Sequence, residues 1–474
     1  MDVLISAFSA LTCVYLIWRM MRPRDVIDLQ MGVIGLFSVG YYCVPIWFKQ
    51  FSPLGDLEVL DIATAALIHW LFLIAVIAGT EIARKIVPEG VAIKTDQIDE
   101  LVRRFRCVLV VLSFTIYLYY YFNYDITSYS SANFELYFAD RGPLDAIVAM
   151  IANLGLAFIA YSVADAWRRR SFELVAYACM LAACVLLMLL VGQRLALLTP
   201  VIMLLASLAI TGQGRRAIGL LGISVVALLF VSPVAVFVRE SLADRQGQNA
   251  QTVLGSFSYG DDAMARIFQS IVDRGDLIYV TARMKPYVDA EPKPGLTYYG
   301  SVLVSPLPKV MYPGVKPYLL STNGLPAGEL SIKSWRTLVG GTGSLSAFGG
   351  IVAYREASWP GILLNGLATG LFFVLMGRWL GRGGLVGGVF YGSLFVVLTV
   401  KKVPPSFFEA LAELMGMLPF IIAVVIANWG LSRLTRRKRP EPLGRGQLGT
   451  RVNGDARSGG SPSAPLAARR QVGG

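Results

Sequence analysis

The stretch VGQRLALLTP, Val191–Pro200, places one arginine between two long apolar runs, Phe172–Val191 and Leu195–Thr211. Each run is about long enough to cross a ~30 Å hydrocarbon core as a helix. Only Gly192, Gln193 and Arg194 separate them, so the chain turns back at a membrane surface with a guanidinium at the tip. Two spans joined so tightly set the fold class: consecutive membrane-crossing helices, packed antiparallel.

The rest of the chain repeats this pattern. It is 55% hydrophobic and 16% charged, with a mean hydropathy of +0.59. The apolar runs do not alternate with polar residues as the strands of a membrane barrel would. Eleven spans are expected, at 3–20, 29–48, 61–83, 107–123, 144–165, 172–191, 195–211, 217–238, 360–380, 384–400 and 407–430. The first run is followed by WRMMRPRD with no small-residue cleavage site, so it reads as a retained helix. The five cysteines lie in apolar runs and read as small membrane-buried side chains; they form neither a disulfide framework nor a CxxC pair.

Charge sets the orientation. Arg19, Arg22 and Arg24 follow the first span, and Arg84, Lys85, Lys94, Arg103, Arg104 and Arg106 follow the third. Arg168–Arg170 follow the fifth, Arg215 and Arg216 the seventh, Arg378 and Arg382 the ninth, and RLTRRKR the last. All fall on one side, which the positive-inside rule makes the cytoplasm, with the N-terminus outside and the C-terminus inside. Lys401 and Lys402 are the main exception. The net charge of +12 is thereby explained by helix ends and calls for no nucleic acid. Arg194 faces out, against this bias, so orientation does not explain it.

Four parts follow: 1–238 with helices 1–8, a large outer loop at 239–345, 346–432 with a re-entry segment and helices 9–11, and a cytoplasmic tail, 433–474. The tail is rich in Gly, Ser, Pro and Arg and reads as disordered. The large loop carries eleven basic and nine acidic residues. Within it VLGSFSYGDDAMARIFQSIVDR reads as a loop entering an amphipathic helix, with Ala263, Ile267, Ile271 and Val272 on one face. PYVDAEPKPG and PLPKVMYPGVKP are too rich in proline for regular structure. A loop this long in a compact membrane protein is usually functional.

Arginine dominates the candidate chemistry. Arg194 and Arg239 lie at outer helix ends, and Arg245, Arg266, Arg274 and Arg283 follow in the loop. The planar guanidinium suits bidentate binding of phosphate oxygens, so this set could grip a lipid-linked pyrophosphate. Snorkelling to lipid headgroups is the competing reading. Asp261 and Asp262 beside Gly260 could bind a cation, but a solvated turn explains them as well. His69, the only histidine, reads as a helix-packing hydrogen-bonder. With no histidine in the large loop, a Ser-His-Asp triad there is excluded, and no GxxxxGKS suggests a nucleotide-driven pump. Aromatic residues crowd YLYYYFNY (Tyr117–Tyr124), Tyr129, Tyr137, Tyr298, Tyr299 and Trp335. An interfacial belt and sugar stacking account for them equally.

GQRLALL, PLPKVMYPGVKP and SAFGGIVAYREASWPGILLNGLATG together resemble segments of the bacterial O-antigen and exopolysaccharide repeat-unit polymerases, the Wzy-type family. With the helix plan, the resemblance covers about residues 1–430. The family's spaced Arg–Gly motif with a ten-residue gap is absent; eleven residues separate Arg283 from Gly295. The resemblance implies a GT-C-like membrane glycosyltransferase in the bacterial inner membrane, with its large loop in the periplasm. Its substrate would be an oligosaccharide repeat unit on undecaprenyl pyrophosphate, delivered by a flippase. The growing glycan would pass to a sugar hydroxyl of the next lipid-linked unit, with a chain-length regulator as a possible partner. Arg194 and Arg239 are then the expected catalytic cations and Glu240 the first choice of base. Arg266, Arg283, Lys309, Lys316 and Glu356 are expected to bind substrate, Glu356 being the second choice of base or else a surface group. No metal or cofactor is expected. The alternatives are an O-antigen ligase, which typically carries a histidine in this loop, and a flippase or transporter, which usually shows internal repeats.

Overall fold

In the computed structural model, residues 2–23, 25–43, 59–124, 143–190, 194–224, 277–290, 349–401 and 403–437 are described. Among them every regular element is helical: α1 (Asp2–Met21), α2 (Val26–Ser38), α3 (Val59–Ile86), α4 (Asp96–Arg104), α5 (Arg106–Tyr124), α6 (Pro143–Arg169), α7 (Glu173–Leu190), α8 (Arg194–Ile210), α9 (214–224), α10 (Leu277–Ala290), α11 (Gly349–Trp379), α12 (Gly384–Val396) and α13 (Phe407–Arg437). Helices α2 and α12 each end in a π-helical turn, Val39–Cys43 and Val397–Lys401. The chain divides into a large unit, Met1–Leu431, and a short one, Ser432–Gly474.

Among the described residues five segments are long and apolar enough to cross a membrane: Val26–Cys43, Ile62–Ile86, Ile147–Arg169, Gly349–Trp379 and Phe407–Leu434. Five shorter apolar helices, Ala7–Met21, Arg106–Phe122, Glu173–Met188, Leu198–Ile210 and Gly384–Thr399, fall on five of the six other expected spans. The span expected at 217–238 opens on α9, and its second half lies outside the described residues. Large apolar side chains such as Leu11, Trp18, Val108, Phe122, Leu364 and Ile426 stand exposed on the helices. Surface of that kind is stable against lipid tails and costly in water.

The most extensive pairing joins α3 to α11, and small residues make it possible. A side chain at Gly79 would collide with the Leu367 carbonyl, and one at Gly370 with the Val76 carbonyl and Thr80 amide. The two backbones therefore touch directly. Apolar attraction between helices is weak in lipid, so close van der Waals contact of this sort drives association.

At one end of the bundle arginines that follow the first, third and ninth spans gather. Arg19 pairs with Asp28 and Glu81, both at 2.6 Å. Arg84 reaches Asp25 at 2.8 Å, Asp28 at 2.7 Å and Glu81 at 3.0 Å. Arg378 donates to the carbonyls of Arg84 and Val87. Several of the cations that mark the expected cytoplasmic face are thus neutralised within it. Helix α4 straps this face: Asp99 accepts from the Leu385 and Val386 amides, both at 3.0 Å, and caps α12. The cap needs glycine at Gly384, where φ is +80° and a Cβ would overlap the Asp99 carboxylate.

Two expectations are corrected. The proline-rich stretch beginning at Pro286 is helical as far as Ala290, because Ile278, Thr281, Ala282 and Val288 form a buried stripe that outweighs the proline. Cys13, Cys43 and Cys184 are buried within the protein, and Cys107 and Cys179 are exposed on helix surfaces among the apolar side chains. His69 is buried and stacked on the Tyr42 ring with planes 6° apart. Among the described residues neither of its ring nitrogens has a hydrogen-bond partner, so it packs and does not bond.

Candidate active site

The other end of the bundle holds a polar cluster built around a break in α11. Pro360 has no amide to give the carbonyl of Glu356, so the helix cannot continue regularly through it. Ala357 leaves helical geometry (φ −152°, ψ 32°) and Ser358 enters positive φ (56°, ψ −142°). A non-glycine residue held there costs about 1–3 kcal/mol, and such strain clusters at functional sites. Glu356 immediately precedes this break.

Arg355 and Glu356 are 2% and 4% exposed, and Asn365, one helical segment further on, is 3% exposed. Burial at this level excludes the surface role for Glu356. A buried carboxylate persists only with strong partners. Asn365 supplies one, donating through Nδ2 to Glu356 Oε2 at 2.6 Å. The same side chain accepts from the Phe407 amide at 2.6 Å, so it ties the broken helix to the start of α13. That start is a capping box. Ser406 Oγ accepts from the Glu409 amide at 3.2 Å, and Glu409 Oε2 accepts from the Ser406 amide at 2.9 Å. Gly349 lets the first turn of α11 lie against the backbone of Pro404–Ser406, where a Cβ would clash.

Helix α10 docks beside this cluster. Tyr354 donates to Asp289 at 2.7 Å, and Lys285 pairs with Asp289 at 2.6 Å while lying 5.8 Å from the Tyr354 ring centroid. Trp359 meets the same ring edge-on at 5.4 Å. The helix that carries Arg283 therefore packs against the segment that carries Glu356, bringing together two elements expected to bind substrate. The Arg283 side chain itself lies outside the described residues. Arg194 begins α8, and its side chain is likewise not described. Arg239, Glu240, Arg266, Lys309 and Lys316 all lie outside the described residues, as do Asp261, Asp262 and the helix expected around Ala263–Val272. Among the described residues no three His, Cys, Asp or Glu side chains are grouped to hold a metal ion.

Sequence reasoning missed Arg355, Asn365, Asp289 and the Ser406–Glu409 box. Ser-x-x-Glu opening an apolar run was a legible signal. So was a charge pair followed by asparagine inside a long apolar segment, since intramembrane polar groups usually have work to do.

The family model for O-antigen polysaccharide polymerase Wzy matches residues 2–294, more than half of the chain. The chain belongs to this family. The matched range takes in the GQR hairpin and α10, and it ends before PLPKVMYPGVKP and the broken helix α11. No curated protein and no solved structure matches. Family and apolar helices together describe a multi-pass bacterial membrane protein with an O-antigen polymerase activity, of glycosyltransferase type.

Proposed function

We propose that the protein polymerises oligosaccharide repeat units carried on undecaprenyl pyrophosphate at the outer face of the inner membrane. The family match carries this reading. The hydroxyl oxygen of the acceptor unit attacks the anomeric carbon of the growing chain. The bond from that carbon to the pyrophosphate oxygen breaks, and undecaprenyl pyrophosphate leaves with the electron pair. Arg194 and Arg239, helped by Arg266 and Arg283, stabilise the charge on the departing pyrophosphate, and Lys309 and Lys316 add to the field that holds it. A carboxylate takes the hydroxyl proton. Of the two candidates, Glu240 and Glu356, we favour Glu356: it is buried, fixed by Asn365 and adjacent to a strained backbone. The exposed Trp359 ring, packed edge to face on the buried Tyr354, supplies a surface suited to a sugar ring. A flippase supplies the substrate, and a chain-length regulator is the expected partner.

The test is direct. Deletion of the gene should leave single-repeat species on the surface polysaccharide, and the wild-type chain should restore long chains. The purified protein should elongate synthetic lipid-linked units in excess EDTA. Loss of all surface attachment on deletion would instead identify a ligase, and units trapped inside the cell would identify a flippase.

A further inference from the structure

The arginine-rich end of the bundle contains two kinds of arginine. Arg19, Arg84 and Arg106 are largely buried and each is held by carboxylate at 3.0 Å or less. Arg22, Arg215 and Arg216 are exposed, and among the described residues none of them is in an ion pair. These three, with Arg168, line a groove of about 750 Å³ between the α1–α2 turn, the end of α6 and the α8–α9 turn. Arg168 adds little compensation. Its carboxylate, Asp165 at 3.6 Å, is shared with Arg106 at 2.6 Å and Arg169 at 3.0 Å, three cations on one anion.

The groove is built and not merely charged. Gln213 donates through Nε2 to the Ala164 carbonyl at 2.8 Å and to Thr211 Oγ1 at 2.9 Å, which fixes its amide. Its Oε1 accepts from Arg216 Nη1. The guanidinium carbon of Arg216 also lies 5.3 Å from the centroid of the Trp167 ring. One cation is thereby held in place before any ligand arrives, which a topology signal does not need. The surroundings identify the ligand. Met21 and Trp18 are each 57% exposed just before Arg22, and Phe172 is 99% exposed just after Arg168–Arg170. Exposed apolar side chains beside uncompensated arginines mark the boundary between acyl chains and headgroups. The volume lies in the roughly 300–1,000 Å³ range of small-ligand sites and is generous for a bare phosphate ion.

We infer that this groove is a binding site for the phosphate of an anionic phospholipid headgroup, with Arg22, Arg215 and Arg216 as its ligands. The site lies at the opposite end of the bundle from the broken helix and holds a structural lipid, not a substrate. The inference is independent of the polymerase reading, because its test measures binding.

The full-length protein in detergent is titrated with dioleoylphosphatidylglycerol, dioleoylphosphatidylcholine or inorganic phosphate while Tm is followed. Phosphatidylglycerol should raise Tm saturably, and the other two should not. The Arg215→Gln/Arg216→Gln protein should lose at least half of that shift. A charge-matched control on the same face, Arg103→Gln/Arg104→Gln, should keep it. If the Arg215 and Arg216 changes prevent folding, Arg22→Gln serves, because that side chain is exposed and should also reduce the shift. An unchanged shift in the groove variants overturns the site. So does equal loss in both double variants, which would mean diffuse surface charge. An equal response to inorganic phosphate or phosphatidylcholine would overturn the lipid assignment.

Discussion

Asn365→Ala is the most informative single change in the cluster around the broken helix. The side chain makes two hydrogen bonds, a buried one to Glu356 Oε2 and a partly buried one from the Phe407 amide, each 2.6 Å long. In helical membrane proteins such bonds average about 0.6 kcal/mol and reach about 1.7 kcal/mol. The two together should therefore be worth about 1–3 kcal/mol, with the carboxylate bond at the upper end because its acceptor is buried. Denaturant titration in mixed micelles should read this loss, and a double-mutant cycle with Glu356→Gln should show coupling of about 1 kcal/mol. Activity should suffer more than stability. Releasing the carboxylate misplaces the base, which can cost up to about 100-fold in rate, so long chains should vanish from the surface polysaccharide at normal protein levels. Asn365→Asp separates the two effects. It keeps an acceptor for Phe407 but sets two carboxylates at a spacing where both cannot be ionised. It should anchor α13 and still fail to polymerise. A stability within about 0.5 kcal/mol of wild type, with a normal chain-length distribution in Asn365→Ala, would refute both the packing role and the catalytic one.

Arg194→Ala should insert normally but lose about 2.7–4 kcal/mol of transition-state stabilisation, a 100- to 1,000-fold drop in rate; Arg194→Lys should recover part of it, because an ammonium lacks the bidentate fork. Full rescue by lysine would favour a headgroup anchor. Gly370→Ala should cost about 1–3 kcal/mol by overpacking, since its new methyl meets the backbone of α3 and not a side chain that could move; Gly370→Leu should abolish the folded protein by size-exclusion analysis. Arg84→Ala should cost about 3 kcal/mol, the low end for stripping a buried carboxylate, because Arg19 still holds Asp28. Adding Arg19→Ala should then cost more than the sum of the two single changes; additivity in the same denaturant titration would mean that the two arginines act separately.

Sequence alone was enough for the fold class. Hydropathy is a local property, so a run such as Leu195–Thr211 announces a membrane helix without reference to any other part of the chain. The gathering of odd-numbered turns at one end follows from the alternation of short hairpins, and the arginine clusters marked those turns in advance. Tertiary structure decided everything that depends on which helices meet. Pro286 reads as a breaker until the buried stripe from Ile278 to Val288 is seen to dock. His69 reads as a hydrogen-bonder until Tyr42 is found stacked on it. Glu356 reads as a second-choice base and nearly as readily as a surface group, because the sequence does not say which other helices pack over it. Asn365 is nine positions away along the chain, and the helix it secures begins at Phe407. The cluster exists because Gly349, Gly366 and Gly370 let α11 press against its neighbours, which brings those polar groups within hydrogen-bonding distance and removes them from water.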